Sequence, residues 1–476
     1  MIALLPELSL LVLGLLVLGV ESFGSLENRS RSSGRIQAVA GFGLVLVLII
    51  LCFVPGDSSP AILGHFQLSA FGRIWKMVFV AAALLTVPLS GSYLAPTGNL
   101  RGTIGKAGPY FFLLIFSSLG ACLLVSAGDW LTFFLALELA TLPLYALVGF
   151  QSGDVKSAEA SVKYMVLGGL ATSLVLFGIS FLYLAAGKLD LQSTALAAQS
   201  DPSNPALWLG ALFLLAGIGF KLAIAPFHMW APDVYEGAPM PIMAFLSVGS
   251  KSAAAAGLAL VFLGPLDPLR PALAPLLGGA AVLSMVVGNL GALRQRNLRR
   301  FAAYSSIAQA GYLLLAFLGN ADASRVSLVY NLVAYGATSY CFYFVIGLIG
   351  KTGDETFASL RGLSRRNPAV ALALLLAMFS LAGVPPLAGF IGKFLLFSTA
   401  AGSGRYGIVL LALGNAVLSF YYYMLVVKEA FIVPESSPAP AMAVTKIQAF
   451  SLSALTAALL FLGIFPNLGH YLQSLR

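Results

Sequence analysis

Three lysines stand inside stretches that are otherwise apolar: Lys221 in LWLGALFLLAGIGFKLAIAP, Lys251 in PIMAFLSVGSKSAAAAGLALVF and Lys393 in LAGFIGKFLLF. One carboxylate is placed in the same way, Glu138 in WLTFFLALELATLPLYALVGF. An ionisable group at a bilayer centre costs at least ~2.5–3.5 kcal/mol on insertion scales, so it needs a partner or a purpose. The chemistry open to such a set is proton transfer. A nearby carboxylate tightens the hold of a buried amine on its proton, and desolvation loosens it. Moving or neutralising the carboxylate therefore switches the amine between holding a proton and passing it on. A static ion bridge is the plain alternative for a single Glu–Lys pair. Three lysines against one carboxylate cannot all be bridged, so at least two are neutral or hydrated for part of the time.

The elements that position these residues follow from composition. Of 476 residues, 59% are hydrophobic and 9% charged, against about 25% charged in a soluble domain. Apolar runs long enough to span a bilayer repeat along the whole chain. Fourteen spans are expected, near 3–20, 36–54, 71–94, 109–127, 130–150, 161–186, 206–229, 239–263, 272–291, 301–319, 326–350, 369–388, 404–431 and 447–466, with 389–401 joined to the twelfth. The N-terminal run lacks a basic leader segment and carries Glu7, so it reads as a span and not a signal peptide.

Seventeen Lys and Arg fall in odd-numbered loops and six at even-numbered ones, Lys76 among the latter. By the positive-inside rule the odd-numbered loops are cytoplasmic, so both termini face outward. Lys221, Lys251 and Lys393 are left within spans, and Glu138 reads as the one acidic residue deep in a span. Lys221 lies about midway between Pro205 and Asp233, roughly 18 Å or more along a helix from either, beyond the reach of a lysine stem.

Pro226 interrupts the seventh span and Pro385-Pro386 the twelfth. The fold expected is an all-α polytopic membrane protein with two inverted five-helix repeats, helices 4–8 and 9–13, and broken helices 7 and 12. The segments would be 1–108 (three spans), 109–265 and 266–432 (the repeats), and 433–476 (a loop and the last span). Backbone groups freed at the breaks are tolerated only within protein or beside water, and water is what proton hopping needs.

Other chemistries find no support. The net charge of +9 comes from short loops without an aromatic-interleaved patch, so no nucleic-acid partner is expected. Cys52, Cys122 and Cys341 have neither metal nor disulfide spacing, and no phosphate-binding glycine loop is present. No metal or cofactor is expected in this chain. His228 titrates near neutral pH in principle, but two residues after Pro226 it reads first as part of the helix break. His65 and His470 are loop or terminal residues and are given no role.

Four blocks carry a resemblance: GIGFKLAIAPFHMWAPDVYEGAPMPIMAFLSVGSKSAAAAGL, GDWLTFFLALELATLPLYALVGF, YSSIAQAGYLLLAFLG and AGVPPLAGFIGKFLLF. They resemble the antiporter-like subunits of the proton-pumping NADH–quinone oxidoreductase, respiratory complex I. Length, a lysine at Lys393 and the run NAVLSFYYYMLVVKEAF are similar to the N-type members. The resemblance implies Glu138 and Lys221 as a coupling pair, Lys251 as a connecting lysine and Lys393 as a distal one. It also implies an entry or contact role for Glu159 and Lys163, otherwise an interfacial i,i+4 pair. Quinone, NADH, FMN and iron–sulfur clusters would belong to other subunits, and subunits J, K and M and the lipid bilayer would be the neighbours. Gln309 stands where relatives often carry histidine. Glutamine carries no proton but orients water, so the step between Lys251 and Lys393 would need water or Tyr304, Ser305 or Ser306. The rival readings are a subunit of a multisubunit cation/proton antiporter, of a membrane-bound hydrogenase, or a scaffold that does not pump.

Overall fold

The computed structural model describes residues 4–22, 29–54, 65–94, 107–350, 355–435 and 444–466. Glu27, Arg101, Lys106, Lys351 and His470 lie outside the described residues. Among the described residues the regular elements are helices, and strand-like pairing is confined to isolated bridges such as Asp129 with Asp190. Among the described residues, thirteen helices are long and apolar enough to cross a membrane. Pro368–Ala382 and Ala388–Gly402, two further apolar helices of 15 residues each, stand where the reading of about fourteen spans places one broken helix. The chain is an all-α, multi-pass membrane protein.

It divides into two compact units, one of Met1–Trp230 with Gly237–Pro275 and the other of Ala231–Glu236 with Leu276–Ser474. The first holds α1 (Leu5–Ser22), α2 (Arg29–Phe53), α3 (Ala70–Leu94), α4 (Ala107–Leu124), α5 (Trp130–Val148), α6 (Val155–Ala186), α7 (Leu191–Ser200) and α8 (Pro205–Leu222). After the short α9 (Trp230–Gly237) it adds α10 (Met240–Phe245) and α11 (Lys251–Phe262). Within it α1 packs on α4, α4 on α5, and α6 on α8. Gly120 of α4 is pressed so closely to α5 that a Cβ there would lie 2.2 Å from the Ala140 nitrogen. That approach fixes the face of α5 on which Glu138 stands.

From α12 (Arg270–Leu293) onward, the second unit holds α13 (Leu298–Leu314), α14 (Ala321–Ile349), the one-turn α15 (Leu363–Arg366), α16 (Pro368–Ala382), α17 (Ala388–Gly402), α18 (Tyr406–Phe431) and α19 (Lys446–Ile464). There α14 packs against α16, α17 and α19. Almost all of α14 is buried, whereas Leu410, Val417 and Phe450 of α18 and α19 are exposed. Large apolar side chains on that surface suit a bilayer, not water.

Two helix ends set the rest. Proline has no N–H and its ring collides with the carbonyl four residues back. Pro226 thus forbids a helical bond to Leu222, and α8 stops at Leu222, upstream of the proline itself. Ala223 turns left-handed at φ 57°, its N–H bonding the Phe220 carbonyl at 2.9 Å and that of Ile224 the Gly219 carbonyl at 3.1 Å. The end of α16 repeats this pattern: Gly383 at φ 89° bonds Ser380 at 3.0 Å, and Val384 bonds Phe379 at 2.9 Å. Both are Schellman closures. At Gly383 the conformation costs an L-residue roughly 1–2 kcal/mol, and an added Cβ would sit 3.1 Å from Cδ of Lys393. Gly383→Ala is therefore expected to lower the thermal unfolding midpoint of the detergent-solubilised protein by that scale of free energy, checked by a melting curve. An unchanged midpoint would show that the turn is not held as described.

Candidate proton-transfer site

In the first unit, Glu138, Thr141 and Tyr145 share one face of α5 by their i, i+3, i+7 spacing. Lys221, in the last turn of α8, meets that face. Its ammonium donates to Thr141 Oγ1 at 3.1 Å and to Tyr145 Oη at 3.3 Å, and lies 3.7 Å from Glu138 Oε1. It also lies 5.7 Å from the centre of the Tyr145 ring. Thr172 of α6 donates to the same Glu138 oxygen at 2.8 Å. The carboxylate is thus near the ammonium, while hydroxyls make the direct hydrogen bonds. Placement at a helix C-terminus adds the favourable end of the α8 dipole for a cation.

Lys251 opens α11 directly after Leu246–Ser250, a π-helical turn, and is buried. Such a turn carries an extra residue and re-aims the side chains beyond it, and it recurs at functional sites. Helix α11 packs on α8, the helix of Lys221. His228 is half-buried in the turn after α8 and Pro226 is exposed there. Glu159 and Lys163 form an exposed i,i+4 ion pair at 2.7 Å on α6.

In the second unit, Lys393 of α17 is buried and donates to the carbonyls of Leu381 at 2.7 Å and Ala382 at 3.1 Å. Its ammonium stands 4.8 Å from the centre of the Tyr312 ring, within cation–π range. In a continuous helix those two carbonyls would accept from residues 385 and 386, both prolines. Lys393 supplies the donors that the prolines lack. Gln309 of α13 donates to the same Leu381 carbonyl at 3.4 Å and to Tyr423 Oη at 3.3 Å. Tyr423 in turn hydrogen-bonds Ser305 Oγ at 2.7 Å. Gln309 is therefore tied directly to a tyrosine hydroxyl. Nearer the start of α13, Arg300 pairs with Asp233 at 2.8 Å and Glu236 at 2.9 Å, and Arg299 with Glu355 at 2.5 Å.

Burial brings in a second carboxylate–lysine pair that depth along the spans does not reveal. Glu7 of α1 and Lys76 of α3 are both buried and form an ion pair at 2.6 Å. Their places near helix starts make them look interfacial in the sequence; helix packing covers them. Sequence reasoning also misses Thr141, Tyr145, Thr172 and Tyr423 as site residues. The helical spacing from Glu138 could have found the first two, and no local signal marks the others.

Residues 127–419 match the family described as NADH:quinone oxidoreductase/Mrp antiporter, TM. The chain belongs to this family. Among its relatives, the NADH-quinone oxidoreductase subunit N of Moorella thermoacetica is 37% identical over 94% of this chain and 93% of its own length. A chain of respiratory complex I from Thermus thermophilus, solved with bound aureothin, superposes with a TM-score of 0.81 at 32% identity, covering 97% of this chain and 98% of that one. A chain of the Mrp complex from Dietzia sp. DQ12-45-1b gives a TM-score of 0.82 at 20% identity over 99% and 96%, a likeness of fold. The family's matched stretch contains Glu138, Lys221, Lys251, Gln309 and Lys393.

Tyr423→Phe removes the hydroxyl that joins Gln309 to Ser305. Leaving those buried groups short of a partner costs about 1–3 kcal/mol, so the melting midpoint of the purified protein should fall. No shift would mean that the hydroxyl holds nothing.

Proposed function

We propose that the chain is a proton-translocating membrane subunit of an NADH–quinone oxidoreductase in a bacterial inner membrane. Electron transfer from NADH to quinone takes place in other subunits, and neighbouring membrane-arm subunits flank this one. The observation that carries the reading is the way Lys221 is held, by two neutral hydroxyls with Glu138 3.7 Å away. Two unit charges about 4 Å apart attract by about 4 kcal/mol at an effective dielectric of about 20. A signal that protonates Glu138 or draws it aside removes an attraction of that scale without breaking the lysine's direct hydrogen bonds. Lys221 is then left on hydroxyls from which its proton can move on.

Lys251 and Lys393 are the further carriers in this reading. The helix interruptions after Leu222 and Ala382 mark equivalent places in two inverted five-helix repeats, 109–265 and 266–432, with 1–108 and 433–476 outside them and both termini periplasmic. What supports the repeat is the shared closure of α8 and α16 by the same pair of hydrogen bonds. Glu159 and Lys163, exposed on α6, are proposed contacts to a neighbour or an entry point. Pro226, Pro385 and Pro386 shape the interruptions, His228 belongs to the first of them, and Gln309 orients the approach to Lys393.

A second reading, a subunit of a cation/proton antiporter, is favoured by the family's joint description. Sodium-dependent transport without NADH would separate it. For the principal reading, Lys221→Ala in the assembled complex should cut NADH-driven proton uptake into inverted membrane vesicles by roughly tenfold or more, the scale of a positioned proton-transfer group. Glu138→Gln should act in the same direction. Normal pumping by fully assembled Lys221→Ala complex would sink the relay.

A further inference from the structure

The pair outside that relay is Glu7 with Lys76. Glu7 is the third residue of α1 and Lys76 the seventh of α3, about 9 Å along the helix from its start. Both side chains are almost wholly buried, at 5% and 2% exposure, and Oε1 lies 2.6 Å from Nζ. Among the described residues, neither carboxylate oxygen has a hydrogen-bond partner beyond that ion contact. The Lys76 ammonium stands 5.0 Å from the centre of the Phe66 ring.

A buried ion pair kept for stability needs additional hydrogen bonds to offset desolvation, and without them an apolar pair of the same volume does as well or better. Among the described residues Glu7 finds no such bonds. Ionisable groups held at such cost inside a membrane protein mark proton or ion pathways. Helix α3 also packs against α10, the π-helical turn and α11, the elements that carry Lys251.

We propose that Glu7 and Lys76 form a further proton-exchanging pair of the first unit, served by the same traffic as Lys221 and Lys251; this rests on the relay reading above. The pair has two states of zero net charge, ammonium with carboxylate and amine with carboxylic acid. One proton moving from Nζ to Oε1 interconverts them, the N–H bond breaking as the O–H bond forms. Binding one more proton gives ammonium with carboxylic acid, net charge +1, and releasing it restores the neutral pair. The site thus loads and unloads a single proton.

The test uses the whole complex in inverted membrane vesicles, reading assembly, uncoupled NADH oxidation and protons taken up per NADH. Arginine keeps the ion pair but does not release its proton. Lys76→Arg complex is therefore expected to assemble and oxidise NADH while its proton uptake per NADH falls. Wild-type uptake in that variant overturns the proposal. Should Lys76→Arg fail to assemble, the double variant Glu7→Gln/Lys76→Met, which removes both charges at similar volume, gives the reading. Loss of pumping there upholds the proposal, and the wild-type ratio overturns it. Lys221→Ala run alongside separates the two claims. Loss of pumping in that variant with normal pumping in Lys76→Arg removes the Glu7–Lys76 role alone; normal pumping in Lys221→Ala removes the relay on which it rests.

Discussion

A helix that stops where water cannot reach it leaves carbonyl oxygens that something else must satisfy. At the end of α16 the two prolines at 385 and 386 take away the donors for Leu381 and Ala382, and the Lys393 ammonium replaces them. The exchange fixes a charge in the interior without a carboxylate beside it in that contact. It also fixes Gln309, which shares the Leu381 carbonyl, and through Gln309 the hydroxyls of Tyr423 and Ser305. A break in one helix thereby organises four side chains from three other helices.

The end of α8 closes by the same turn, its Phe220 carbonyl taken by the Ala223 N–H and by the indole of Trp230 at 2.9 Å. Here the lysine ammonium turns to α5, where two hydroxyls accept from it and a carboxylate stands 3.7 Å away. The two lysines are therefore held in different ways. Lys393 rests on fixed backbone dipoles, which no protonation event can switch off. Lys221 rests partly on Glu138, whose charge can change. A change of charge at Glu138 would be felt in the second arrangement and not in the first.

Much of this is legible in the sequence alone. A lysine in an apolar run of twenty residues announces itself, and so do Glu138 and the paired prolines. Helix ends are less legible: the proline at 226 is visible, but the helix closes at Leu222, because the forbidden bond reaches four residues back. Glu7 and Lys76 escape for another reason. Position along the chain gives only distance from a helix end, whereas burial is set by the neighbouring helices that cover that end. Tyr423 lies in a run of three tyrosines, and periodicity does not say which of them turns inward to Gln309.

The fold itself says little about which of these side chains matter. Chains sharing 32% and 20% of residues with this one superpose equally well, so most side-chain identities can change while the fold stays. Gly120 against Ala140 needs a hydrogen in place of a side chain, but it needs no charge nearby. Function on such a scaffold has to be argued from sites. A charge buried between helices contributes little that an apolar side chain could not, so its presence calls for a role that only a charge can fill. By that standard Lys221 with Glu138, Lys393 on its carbonyls and Lys76 with Glu7 stand on the same footing, although only the first two lie within the stretch by which the family is recognised.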